Sequence, residues 1–79
     1  MSPTVAIEKG YKLRIYPNDH NPPHVHVIKD KKLVKVYLNP IEVMKNYGFN
    51  VKQVGSILKL VKKYQEELIE EWDQYPHDG

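Results

Sequence analysis

Three of the chain's four histidines, three of its six prolines and one carboxylate fall within the twelve residues Tyr16-Pro17-Asn18-Asp19-His20-Asn21-Pro22-Pro23-His24-Val25-His26-Val27. Imidazole is suited to two kinds of chemistry, proton transfer near neutral pH and coordination of divalent metals. Asn18-Asp19 and Pro22-Pro23 are turn and breaker signals, so the first half reads as a rigid loop and His24 to Val27 as the start of a strand. Residues two apart on an extended chain share a face. His24 and His26 therefore project together, opposite Val25 and Val27, with His20 and Asp19 on the neighbouring loop. For a metal, His20, His24, His26 and Asp19 supply three histidines and a carboxylate, a set that suits zinc or another divalent ion. For catalysis without a metal, His24, His26 and His20 are candidate general acids and bases, and Arg14 or Lys12 is the cation that would stabilise a phosphorane in RNA cleavage. The plainer alternative is structural: Asp19 and Asn18 satisfy the loop's own backbone donors, and the histidines belong to loop and sheet.

The elements that must hold this stretch are short. Met1 to Ile7, broken by Pro3, suits an edge strand. Tyr11 to Tyr16 alternates, Leu13 and Ile15 inward and Lys12, Arg14 and Tyr16 outward. His24 to Ile28 follows, then a tight turn around Lys29-Asp30-Lys31-Lys32, then Leu33 to Leu38 with Val34, Val36 and Leu38 on one face and Lys35 and Tyr37 on the other. These make an antiparallel meander of three or four strands over about residues 3–38. Asn39-Pro40-Ile41-Glu42 carries the signals of a helix start, Asn as N-cap, proline in the first turn and a capping-box glutamate, and predicts a helix over about 40–47 that stops at Gly48. Asn50 and Gln53 repeat the pattern and open a second helix over about 51–75, with Val54, Ile57, Leu58, Val61, Tyr64 or Gln65, Leu68 and Trp72 as its apolar stripe. A helix of that length measures about 37 Å at 1.5 Å per residue, longer than a sheet of ~20 Å strands. Its end is expected to overhang and to offer Leu68, Ile69, Trp72 and Tyr75 to another chain; otherwise it bends and those residues complete its own core. The fold expected is a single α+β domain over residues 1–79, with both C-terminal helices on one sheet face and Pro76 to Gly79 as a tail.

Composition narrows the function classes. No apolar run is long enough to cross a bilayer, and no signal-peptide pattern opens the chain, so a cytoplasmic protein is expected. With no cysteine there is neither a disulfide nor a thiolate metal site. The formal charge is only +2, but bases dominate from Lys9 to Lys35 and acids from Glu66 to Asp78. The sheet face opposite the core collects Lys12, Arg14, Tyr16, His24, His26, Lys35 and Tyr37, a basic surface with tyrosines that suits RNA. Glu66, Glu67, Glu70, Glu71 and Asp73 would meet a basic partner or form a solvated helix face. The chain has no glycine-rich phosphate loop, no zinc-protease helix and no serine placed beside a histidine.

Asp19-His20-Asn21-Pro22-Pro23-His24-Val25-His26, with Leu38-Asn39-Pro40-Ile41-Glu42-Val43, Gly48-Phe49, Gln65-Glu66-Glu67-Leu68 and Trp72, resembles the small bacterial proteins grouped as domain-of-unknown-function family 4160, along nearly the whole chain. The resemblance implies a bacterial protein whose gene context is similar to that of toxin–antitoxin pairs. It implies no catalytic residue. The family's usual glycine in the turn before Leu33 is replaced by Lys31 or Lys32. The leading expectation is a component of a toxin–antitoxin-like module that binds RNA, a cognate small protein or a second copy of itself, with a small metal-independent ribonuclease as its catalytic version and the question of enzyme or binder left open. The alternative is a metal-binding or purely structural interaction domain, and a third is an antidote whose acidic helix seizes a basic toxin.

Overall fold

Two tight turns and a proline loop fold the first half of the chain back on itself. The computed structural model describes residues 4–17 and 19–75; Pro3, Asn18 and the expected tail, residues 76–79, lie outside them. Strands β1 (Thr4–Glu8), β2 (Tyr11–Arg14), β3 (His24–Lys29), β4 (Lys32–Leu38) and β5 (Ile41–Tyr47) form one antiparallel sheet in sequence order. Lys9 and Gly10 both take positive φ, 54° and 84°, as the primed turn of a two-residue hairpin requires. At the β3–β4 turn Asp30 takes the left-handed position, at φ 57°, a conformation its short polar side chain tolerates.

Alternation then sorts the side chains. Leu13, Val25, Val27, Val34, Val36 and Leu38 are fully buried, and Ile41 and Val43 pack partly against them. Helix α1 (Val51–Lys63) lies over β4 and β5, and α2 (Gln65–Asp73) over β1 and β4. Ile57, Leu60 and Val61 from α1 and Leu68 and Trp72 from α2 close the core. The N-terminus of α1 forms as its sequence predicts. Asn50 accepts from the Gln53 amide at 2.8 Å, and the Gln53 side chain accepts from the Asn50 amide at 3.1 Å, a complete capping box.

Two expectations are corrected. Residues 40–47 are not a helix but the fifth strand, so the sheet exceeds the three or four strands expected. Asn39-Pro40 is the two-residue turn joining Leu38 to its partner Ile41, through a cis peptide, and Val43 pairs with Val36. The helix-start signal is local, whereas β4 without β5 would leave a row of backbone donors and acceptors unpaired. A register shift opposite Lys35 and Val36 marks a bulge around Met44, which obscured the alternation. The second correction concerns the long helix. It breaks at Tyr64, whose φ of −103° and ψ of 13° interrupt the helical run, and Gln65 Nε2 donates to the Leu38 carbonyl at 2.7 Å. The break turns α2 back onto the sheet. Leu68 and Trp72 are 0% and 2% exposed, Ile69 is half-buried against the core, and the Tyr75 hydroxyl donates to Glu71 at 3.1 Å. Of the two outcomes expected for this helix the second is found: it bends, and Leu68, Ile69 and Trp72 pack into or against the protein's own core.

A polar clasp pins β1 to the helices at their break. Lys63 Nζ and the Tyr64 hydroxyl both donate to Glu8 Oε1, at 2.8 and 2.7 Å. The Lys63 hydrogen bond, reinforced by that of Tyr64, holds the Glu8 carboxyl below its ordinary pKa. A carboxyl depressed on folding adds stability while it is ionised and loses it as the pH falls through its folded value. Glu8→Gln is accordingly expected to lower the melting temperature at pH 7, with the gap to the parent protein closing below the ordinary carboxylate range; thermal melts from pH 7 to pH 2.5 check this. Leu68→Ala is expected to cost about 2–5 kcal/mol in urea denaturation, as cavity formation in a core does. Val51→Ala, at a position 90% exposed, should stay within about 0.5 kcal/mol.

Candidate functional site

β3 enters the sheet directly after Pro22-Pro23, with Leu38 donating its amide to the Pro23 carbonyl at 3.1 Å. Val25 and Val27 take the core face, so His24 and His26 point to the other. That face is not open here, contrary to expectation: His24 and His26 are 6% and 9% exposed. Tyr16 and Asp19 of the preceding loop lie against them, and the Asp19 amide donates to the Tyr16 carbonyl at 3.2 Å. The Tyr16 ring meets His26 edge-on at 4.5 Å, and Trp72 from the last turn of α2 stands 5.3 Å from His24.

Under this cover three donors converge. Asp19 Oδ2 lies 3.0 Å from His24 Nε2 and 3.5 Å from His26 Nδ1, and the three atoms fall within 4.8 Å of one another. His24 Nδ1 is 3.0 Å from the Pro22 carbonyl. A carbonyl oxygen only accepts, so Nδ1 carries the hydrogen, and in a neutral ring Nε2 turns its lone pair on the carboxylate. Two acceptors face each other at hydrogen-bond distance; the contact is favourable with a second ring proton or a cation between them. His26 Nδ1 is buried with no hydrogen-bond partner among the described residues, a situation that costs about 1–3 kcal/mol if nothing engages the atom. Burial lowers the His26 pKa, the charges of His24 and Lys35 lower it further, and the Asp19 carboxylate opposes them. A neutral ring offers a lone pair to a ligand.

These distances suit a metal. Bonds of about 2.0–2.1 Å separate donors by about 2.9 Å at adjacent octahedral positions and 3.3 Å in a tetrahedron, and the two contacts to Asp19, 3.0 and 3.5 Å, lie close to those values. Metal-bound histidines also commonly donate their second ring nitrogen to a carbonyl, which fixes the ring. His24 has that arrangement already.

Of the residues singled out in the sequence, Asp19, His24 and His26 are brought together, while His20 is exposed on the loop outside the group. Lys12 is exposed, and Arg14, Tyr16, Lys35 and Tyr37 are half-buried. In register, Arg14 pairs with His26, His26 with Lys35 and Lys35 with Lys45, so a row of cations crosses four strands and passes through the histidine. Arg14 Nε is buried and lacks a hydrogen-bond partner among the described residues. Beyond His26 opens a cavity of about 610 Å³, lined by Tyr16, Pro17, Asp19, His26, Ile28, Leu33 and the turn Asp30–Lys32. Sequence reasoning missed this cavity. Its signal was available, because Ile28 and Leu33 are apolar residues on the face that alternation assigns to polar ones. Nothing in the sequence pointed to Trp72 as a wall of the site.

A five-stranded meander backed by two helices, with two histidines and a carboxylate gathered beside a proline loop, defines a small α+β domain with a built polar site. The chain belongs to the family described as Domain of unknown function (DUF4160), whose profile matches residues 10–73. No curated protein and no solved structure gave a significant match. Among the described residues, no helix is long and apolar enough to cross a membrane.

Proposed function

We propose that this protein is a divalent-metal-binding domain, with Asp19 Oδ2, His24 Nε2 and His26 Nδ1 as ligands. The observation that carries this reading is the Pro22 carbonyl on His24 Nδ1, which turns the opposite lone pair toward a carboxylate 3.0 Å away. Two histidines and one carboxylate leave further coordination positions for water or a substrate, the arrangement of sites that do chemistry as well as staple a fold. A bound ion there would supply Lewis acidity beside the cavity. His24 and His26 serve as its ligands in this reading, rather than as the general acid and base of a metal-free ribonuclease.

The test is metal content of the untagged protein, followed by melting with and without a chelator. Zinc or manganese at a hundredfold excess over its dissociation constant stabilises the fold by about 2.7 kcal/mol, which in a domain of this size raises the melting temperature by roughly 10–20 °C. Asp19→Asn and His26→Ala should each abolish that rise. A melt indifferent to metals and chelators would remove the metal reading.

A second reading has its own support. The row Arg14, His26, Lys35 and Lys45 spans about 14 Å at strand spacing, a fit to a polyanion, and RNA binding within a toxin–antitoxin-like module is the corresponding proposal. If single-stranded RNA lies along this row, Arg14→Ala and Lys35→Ala should each reduce the slope of log K against log salt by about 0.7. Slopes equal to the parent's in filter-binding assays would dismiss it.

A further inference from the structure

We infer that the cavity beside Asp19 and His26 is a binding site for a nucleotide, its phosphate at the histidine end and its base over the apolar floor. The inference rests on the metal reading for one of its phosphate contacts, and on independent observations for the rest. Ile28 and Leu33 are cross-strand partners on the face opposite the core. They form a floor that would otherwise expose apolar surface to water, and Tyr16 and Pro17 wall one side of it. A volume of about 610 Å³ falls within the usual range for small-molecule sites, roughly 300–1,000 Å³. A flat aromatic base suits such a floor, and an aromatic wall adds stacking.

The phosphate is placed by charge. Arg14 and Lys35 flank His26 on its two neighbouring strands, and the buried Nε of Arg14 needs an acceptor that no described residue gives it. A phosphate oxygen is such an acceptor, and guanidinium is the side chain best matched to it. The ion held by Asp19, His24 and His26 would take another oxygen. At the far end Lys31 and Lys32 border the cavity with Asp30, so both ends favour an anion approaching from solvent. Neither an apolar metabolite nor an inorganic anion uses all of these groups. A nucleoside monophosphate does, whether free or as the phosphorylated end of an RNA chain.

Calorimetric titration of AMP, UMP, adenosine and inorganic phosphate into manganese-loaded and chelated protein tests this, with a 5′-phosphorylated dinucleotide to separate the free nucleotide from an RNA end. One of the two monophosphates is expected to bind the loaded protein at least tenfold more tightly than adenosine or inorganic phosphate. Leu33→Glu, on the floor, and Lys35→Glu, at the phosphate end, should each weaken it tenfold or more, with circular dichroism and metal content showing that the fold persists and the centre is loaded. Monophosphates that bind no better than inorganic phosphate to protein with metal bound would overturn the nucleotide site and leave the metal centre standing. Binding insensitive to both substitutions would do the same. Tight, Leu33-dependent binding in protein that takes up no metal would uphold the cavity and overturn the metal reading.

Discussion

Strand β3 has to satisfy two valines and two imidazoles at alternating positions, and the rest of the structure depends on how it does so. Val25 and Val27 are fully buried beneath the helices, each contributing about 1.5–3 kcal/mol by leaving water. A one-residue slip would exchange every side chain on the strand and drive both imidazoles into the apolar core. Register on both sides is thus held by the core and not by the site. Arg14, Lys35 and Lys45 are carried into line with His26 as a result.

The loop before β3 makes the second half of the arrangement. Burying imidazole is costly without partners, yet His24 and His26 are as enclosed as parts of the core. Three prolines limit the conformations the loop surrenders when it orders, and the Tyr16 carbonyl holds the turn that delivers Asp19 over the pair. Trp72 closes the other side from α2. The site is assembled from the loop, one strand and the end of a helix that becomes available only because the chain breaks at Tyr64.

Much of this was legible in residue order, and the parts that were not share a cause. β2, β3 and β4 show clean period-two patterns, and the Asn50 capping box forms as written, because these signals agree with their surroundings. Asn39-Pro40-Ile41-Glu42 reads as a helix start in isolation, but the free edge of β4 required a strand, and tertiary pairing prevailed over local propensity. The 51–75 stripe continued at helical spacing across Tyr64 with no breaker residue to mark it; the interruption lies where Glu8 and Leu38 attach the chain to the sheet, and those contacts are non-local. At the site, convergence of Asp19 with His24 and His26 followed from the turn signals and alternation. Burial of the histidines did not, since it depends on how far the loop folds back.

Trp72 is the chain's one tryptophan, and its ring stands against His24 while it also belongs to the core cluster. Indole emission responds to charge and polarity at its edge, so any event that changes the electrical state of His24 is written into the fluorescence of the unlabelled protein. The six tyrosines absorb at shorter wavelengths and can be left dark by exciting at the red edge. The same ring that stands against His24 gives the molecule an internal optical gauge of that site, readable in dilute solution and on the timescale of rapid mixing.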